Sequence, residues 1–255
     1  MQFLQSRGAR IAFIDLPASG SDRGEPIVLV HGFASNHAVN WGDTLWTRTL
    51  ATDGRRVIAP DNRGHGQSQK FHDPAAYSLV DMGEDIVALL DHLDIARADV
   101  MGYSMGARIT SFVARDHPDR LRSAIFGGLG MRLLMSDEDY REIASAMEAP
   151  SLAALKDATQ RSFRAFAERT NSDLQALAAC MRGTRQLLSA QDAAAISVPV
   201  LVAAGTKDPL ARDYRELARL IPGAELLEIP GRDHNLAVGD KAHKQGVLDF
   251  LRRRQ

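Results

Sequence analysis

Short, wholly apolar runs alternate with stretches of helical periodicity through most of this chain. The run Ile27-Val28-Leu29-Val30 has no polar position and is bounded by turn-forming residues. A strand without polar alternation is covered on both faces, as inner strands of parallel sheets are. Residues 56–59, 100–103, 124–126 and 198–203 repeat this form, and 226–229 is a weaker last example. At the start, residues 1–5 and 10–16 flank Arg7-Gly8 and predict an antiparallel hairpin. Between the strands the periodicity becomes helical, over 41–50, 79–93, 105–116, 212–220 and 240–254. Ser78, with Asp81 three residues on, is placed to cap the second of these helices.

This alternation predicts an α/β protein: a mostly parallel eight-stranded sheet with helices on both faces. Residues 131–195 break the pattern, because no strand signal occurs there. Ser136 with Asp139, Pro150-Ser151, and Ser172 with Asp173 each mark a helix start. Several short helices between the sixth and seventh strands predict a small helical cap over the sheet edge. Residues 1–255 are therefore expected to form a single domain, with the cap inserted at about 131–195.

Composition narrows the partners. The 31 basic and 32 acidic side chains leave a net charge of −1, which offers no field to attract a polyanion. Nucleic acid is thus not an expected partner. No apolar run approaches the roughly 20 residues that span a bilayer, so no membrane partner is expected either. The opening MQFLQSRGARIAF lacks the basic-then-apolar pattern of a signal peptide, and the expected location is cytoplasmic. Cys180 is the single cysteine and lies in an Ala-rich helical stretch, which suits a small buried hydrophobe. The scattered histidines form no close-spaced ligand set, so no metal or cofactor is expected.

The chemistry gathers around Gly102-Tyr103-Ser104-Met105-Gly106, a G-x-S-x-G motif between a strand and a helix. A serine on so tight a turn needs small flanking residues, and the two glycines supply them. A serine hydroxyl is a poor nucleophile until a base removes its proton. His234 lies in the loop 231–235, between the last strand and the last helix, where an α/β sheet presents functional groups. The other histidines fit less well: His92 and His243 are within helices, His117 precedes Pro118, and His37, His65 and His72 are in early loops. Asp208 follows the strand VPVLVAAG and is placed to orient the imidazole. Asp233 adjoins His234 and suits a loop-fixing role. The predicted catalytic set is Ser104, Asp208 and His234, in that chain order.

With these motifs the chain resembles the α/β-hydrolase superfamily, in its capped branch of esterases and lactonases. His31-Gly32-Phe33 matches the family's oxyanion turn. The resemblance implies an oxyanion hole from the backbone N–H groups of Phe33 and Met105, with His31 as a brace. The segment Asp61-Asn62-Arg63-Gly64-His65-Gly66-Gln67-Ser68 matches the family's D-x-R-G-x-G-x-S turn. Haloalkane dehalogenases and epoxide hydrolases of the superfamily carry aspartate at the elbow, where this chain has Ser104.

The expected reaction is hydrolysis of a small-molecule carboxylic ester, through an acyl-enzyme. Met131, Met135, Met147, Phe163, Phe166 and Met181 are candidates for an apolar substrate pocket under the cap. Residues 104–108 are also similar to the elbow of a C–C lyase of menaquinone synthesis, in which an arginine placed like Arg108 helps hold a substrate carboxylate. A ring-cleavage C–C hydrolase and a non-catalytic ligand receptor are the remaining readings.

Overall fold

A computed structural model describes residues 1–135 and 139–254. The hairpin forms as expected, with β1 (Gln2–Ser6) antiparallel to β2 (Ala9–Leu16). The other strands are β3 (Ile27–Val30), β4 (Val57–Pro60), β5 (Ala98–Tyr103), β6 (Leu121–Gly127), β7 (Val200–Gly205) and β8 (Glu225–Ile229). They lie in the order β1-β2-β4-β3-β5-β6-β7-β8, and every pairing from β4 to β8 is parallel.

The apolar runs feed two cores. Successive side chains on a strand point to opposite faces. Val28, Val30 and Val100 accordingly join one apolar cluster, and Ile27, Leu29 and Met101 join the other. The first cluster is covered by α2 (Leu79–His92) and α3 (Met105–Asp116). The second is covered by α1 (Trp46–Thr52) and, near the C-terminus, by Val247, Phe250 and Leu251. The Ser78 hydroxyl accepts a bond from Asp81 N at 2.9 Å, so α2 starts where its capping signal predicts.

One predicted helix divides. The expected span 41–50 is a π-helical turn, Ala38–Gly42, followed by α1, with Leu45 between them at φ 65°. In one continuous helix Trp41 and Trp46 would point about 140° apart. The break lets both rings bury fully against each other, edge to face at 6.4 Å.

Between β6 and β7 the chain is helical. A 3₁₀ turn (Met131–Leu133) leads to α4 (Asp139–Glu148), a second turn (Leu152–Ala154), α5 (Ala158–Arg169), α6 (Leu174–Gly183) and α7 (Ala190–Ala194). Ser136, expected to begin the first helix, lies outside the described residues. The start expected at Pro150-Ser151 gives only the second turn. The helix proper waits for Asp157, whose carboxylate accepts from Gln160 N at 2.9 Å, whereas the Ser151 side chain makes no such bond. Asp173 caps α6 in the same way. The chain closes with α8 (Tyr214–Leu220), a short α9 (His234–Val238) and α10 (Lys241–Arg253).

Among the described residues no helix is long and apolar enough to cross a membrane. The indole of Trp46 is fully buried and donates to the Val238 carbonyl at 2.7 Å, tying α1 to the segment after His234. Trp46→Ala is expected to lower stability by about 3–5 kcal/mol, read from the midpoint of chemical unfolding.

Candidate active site

Strand β5 ends at Tyr103 and α3 begins at Met105, so Ser104 carries the whole reversal of direction. Its backbone sits at φ 55° and ψ −115°, which a non-glycine residue holds only under compulsion. The compulsion is close packing. A Cβ on Gly106 would overlap the Val30 carbonyl, and one on Gly102 would overlap the backbone of Gly106. With both absent, the turn seats against β3, and Ser104 N donates to the Gly127 carbonyl at 2.8 Å. The serine is part-exposed, in contrast to the buried residues flanking it.

The loops after β7 and β8 are laced together, with Lys207 N donating to the Arg232 carbonyl at 3.0 Å and Gly231 N to Thr206 Oγ1 at 2.8 Å. This brings Asp208 to His234. Nδ1 of His234 lies 2.7 Å from Asp208 Oδ2. The other carboxylate oxygen of Asp208 accepts from Leu210 N at 2.8 Å and Ala211 N at 3.1 Å. An acceptor-only carboxylate here assigns the proton to Nδ1 and leaves Nε2 as the basic nitrogen. Asp233 fixes the loop as expected, capping α9 through bonds from Asn235 N and Leu236 N.

Ser104 and His234 share one neighbourhood through Tyr103 and Gly128. The Tyr103 ring lies 5.3 Å from the His234 imidazole, and its hydroxyl donates to the His234 carbonyl at 2.6 Å. Burial, with Asp208 and Asp233 nearby, pushes the Tyr103 phenol well above its ordinary range, so it remains a donor. Gly128 sits at φ 61°, and a Cβ there would lie 3.0 Å from His234 Cε1 and 2.9 Å from the Tyr103 ring. Sequence assigns neither residue a role at the site: Tyr103 is the variable position inside G-x-S-x-G, and Gly128 belongs to the run Gly127-Gly128-Leu129-Gly130, which reads only as a weak nucleotide-loop candidate.

The loop carrying Phe33 is held from behind. His31 donates from Nδ1 to the Gly32 carbonyl at 2.8 Å and accepts at Nε2 from Asn62 N at 2.9 Å. Asn40 Oδ1 accepts from Gly32 N at 3.1 Å. Among the described residues no protein acceptor takes the N–H of Phe33 or of Met105. Burial pulls the His31 imidazole below its ordinary value, and burial with His31 alongside pulls His65 down to about 3. Burial pushes the Asp61 carboxyl up, but the His37 side chain and other donors outweigh it and hold it at about 2.

The pocket candidates divide. Phe163 packs on Phe33, with ring centroids 6.1 Å apart. Phe166 lies under the Arg169 guanidinium, and Met131 is part-buried against the core. Met147 and Met181 are core residues, whereas Met135 is 59 % exposed. Arg108 is buried and bonds to the carbonyls of Arg132 and Gln186 and to the Tyr140 hydroxyl, at 3.0, 2.9 and 2.6 Å. Its guanidinium thus joins α3 to the insertion. No cluster of three or more His, Cys, Asp or Glu among the described residues is grouped to hold a metal ion.

Gly128→Ala is expected to displace the imidazole and lower turnover by about tenfold or more, and to cost about 1 kcal/mol or more of stability through its positive φ and its contact with the Tyr103 ring. Paired activity and melting measurements check this. A second expectation concerns acid. Burial lowers the imidazole of His243 to about 4 and that of His65 to about 3, from an ordinary value of 6.5. Both protonate near pH 6.5 in the unfolded chain but stay neutral in the folded one. Their contribution to stability is complete above that pH and is lost as pH falls towards about 4 and about 3. Melting temperature should therefore fall steadily below pH 6.5, and less steeply in His243→Gln.

Comparison with known proteins agrees with this architecture. Residues 25–148 match the family model of the alpha/beta hydrolase fold. The 3-oxoadipate enol-lactonase 2 of Acinetobacter baylyi is 28 % identical over 182 residues, 66 % of this chain and 67 % of that protein. Epoxide hydrolase B of Mycobacterium tuberculosis is 34 % identical over 136 residues, 51 % of this chain. For two of the curated relatives, that epoxide hydrolase among them, the matched stretch spans 26 % and 37 % of their own length. A crystal structure of a hydrolase from Pseudomonas aeruginosa is similar over 98 % of this chain and 97 % of its own, at 26 % identity and a TM-score of 0.79. An eight-stranded sheet of this order, with a tight strand-to-helix turn after β5 and a helical insertion after β6, gives the chain the alpha/beta hydrolase fold.

Proposed function

We propose that the protein is a serine hydrolase that cleaves carboxylic esters, cyclic esters included, of small to medium apolar substrates. The observation that carries this reading is the 2.7 Å bond between His234 Nδ1 and Asp208, in a chain whose Ser104 is held at φ 55° on the strand-to-helix turn after β5. Ser104 Oγ attacks the ester carbonyl as His234 Nε2 takes its proton, and Asp208 stabilises the imidazolium. The N–H groups of Phe33 and Met105 receive the developing oxyanion. The alcohol departs with the proton from His234. Water, activated by the same imidazole, then releases the acid and restores Ser104.

Two observations favour esters over the neighbouring chemistries. Serine at the elbow suits an acyl-enzyme, whereas the family's epoxide hydrolases use aspartate there. Arg108, on which a substrate-carboxylate clamp for a C–C lyase would depend, is engaged with carbonyls of the insertion. The similarity to an enol-lactonase supports a cyclic or linear ester in the same terms.

A fluorophosphonate probe should label the wild-type chain and leave Ser104→Ala unlabelled. A p-nitrophenyl ester series from acetate to octanoate should turn over, with Ser104→Ala and His234→Ala each lowering kcat by about three orders of magnitude or more. Negligible turnover of every ester in a chain that still labels would sink the esterase reading.

A further inference from the structure

The two residues expected to hold the oxyanion rest on successive helices of the insertion. The Phe33 ring meets Phe163 of α5 at 6.1 Å, and the Met105 sulfur meets Cys180 Sγ of α6 at 3.9 Å. A polar contact also ties the end of α5 to the Phe33 loop. Thr170, which closes α5, places its Oγ1 2.9 Å from the carbonyl oxygen of Ala34, the residue immediately after Phe33. Ala34 is fully buried and lies at φ 57°, in the left-handed region that a Cβ disfavours.

The hydroxyl has one proton, three carbonyls within reach and Ser172 Oγ at 2.9 Å. Ser172 can donate in that pair, which leaves the Thr170 proton for a carbonyl, and the three carbonyls are not equivalent. Phe166 O already accepts from Thr170 N at 3.0 Å, and Ala167 O from Ser172 N at 3.0 Å. Among the described residues Thr170 is the donor that reaches Ala34 O. A buried carbonyl without a donor is costly, so this bond helps hold the left-handed turn. The Phe33 N–H belongs to the Gly32–Phe33 peptide, and that peptide is closed onto the Ala34 turn by the bond from Ser35 N to the Gly32 carbonyl at 3.3 Å.

We infer that Thr170 is a positioning residue of the oxyanion hole, through which the helical insertion sets the direction of the Phe33 N–H. This rests on the serine-hydrolase reading above. Thr170 touches no reacting atom. It acts by keeping Ala34 in a conformation that Ala34 would otherwise leave, so its loss reduces stabilisation of the transition state and not binding of the substrate.

The test compares Thr170→Val, which keeps shape and loses the hydroxyl, with Thr170→Ser, which keeps the hydroxyl. An alkyl fluorophosphonate supplies a readout independent of the true substrate, because Ser104 Oγ bonds to phosphorus as His234 takes its proton and fluoride departs, with the phosphoryl oxygen in the same hole. Thr170→Val should slow labelling, and lower kcat for p-nitrophenyl acetate, by about tenfold or more with KM within about twofold. Thr170→Ser should recover to within about threefold, and the Phe33 amide resonance should shift in the valine variant alone. Wild-type rates in Thr170→Val, equal losses in both variants, or a change confined to KM would each overturn the inference. If Thr170→Val does not fold, Thr170→Ala takes its place with the same outcomes. A wild-type chain that labels no better than Ser104→Ala would instead overturn the hydrolase reading itself, and this proposal with it.

Discussion

Ser104 is held where an unconstrained chain would not leave it, at φ 55° and ψ −115°. Such a backbone costs on the order of 1–3 kcal/mol and persists only where its surroundings over-determine it. Here they do so by contact. Gly102 and Gly106 let the strand end, the turn and the first turn of α3 close on β3 with no space for a side chain. The Ser104 amide is then pinned to the end of β6. The rest of the site is built outward from this turn, because the position of the serine hydroxyl follows from it.

Asp208 and His234 arrive by a different route. They lie 26 residues apart, beyond β7 and β8, and the parallel register of those strands brings both loops to the same sheet edge. The carboxylate of Asp208 is fixed on one oxygen by two backbone amides, so its other oxygen has a single direction to offer the imidazole. The Tyr103 hydroxyl bonds the His234 backbone carbonyl and its ring lies beside the imidazole, where Gly128 leaves room by lacking a side chain. Around this set the buried imidazoles of His31, His65 and His243 are all pulled towards neutrality by desolvation. They brace the structure without adding charge that would compete with His234.

The insertion does more than roof the sheet. Arg108 joins its first turn, α4 and the stretch before α7 to the helix that follows the serine. Thr170 joins the end of α5 to the Phe33 loop. An α/β sheet alone would leave both halves of the proposed oxyanion hole open at the top, and the insertion packs against each.

Sequence by itself determined the sheet, its two covered faces and the elbow, because those depend on local periodicity and on residues three to five positions apart. Ile27–Val30 could be read as an inner strand because burial on both faces demands an unbroken apolar run. Ser104 stood out because the turn's steric demand writes glycines into the adjacent positions. The division of the helix at Trp41 and Trp46 was not legible, since both patterns are equally apolar and only the shared core makes the break favourable. Tertiary structure alone decided what Arg108, Tyr103, Gly128 and Thr170 do. Their partners lie 24 to 136 residues away, and no local pattern records a contact made across that distance.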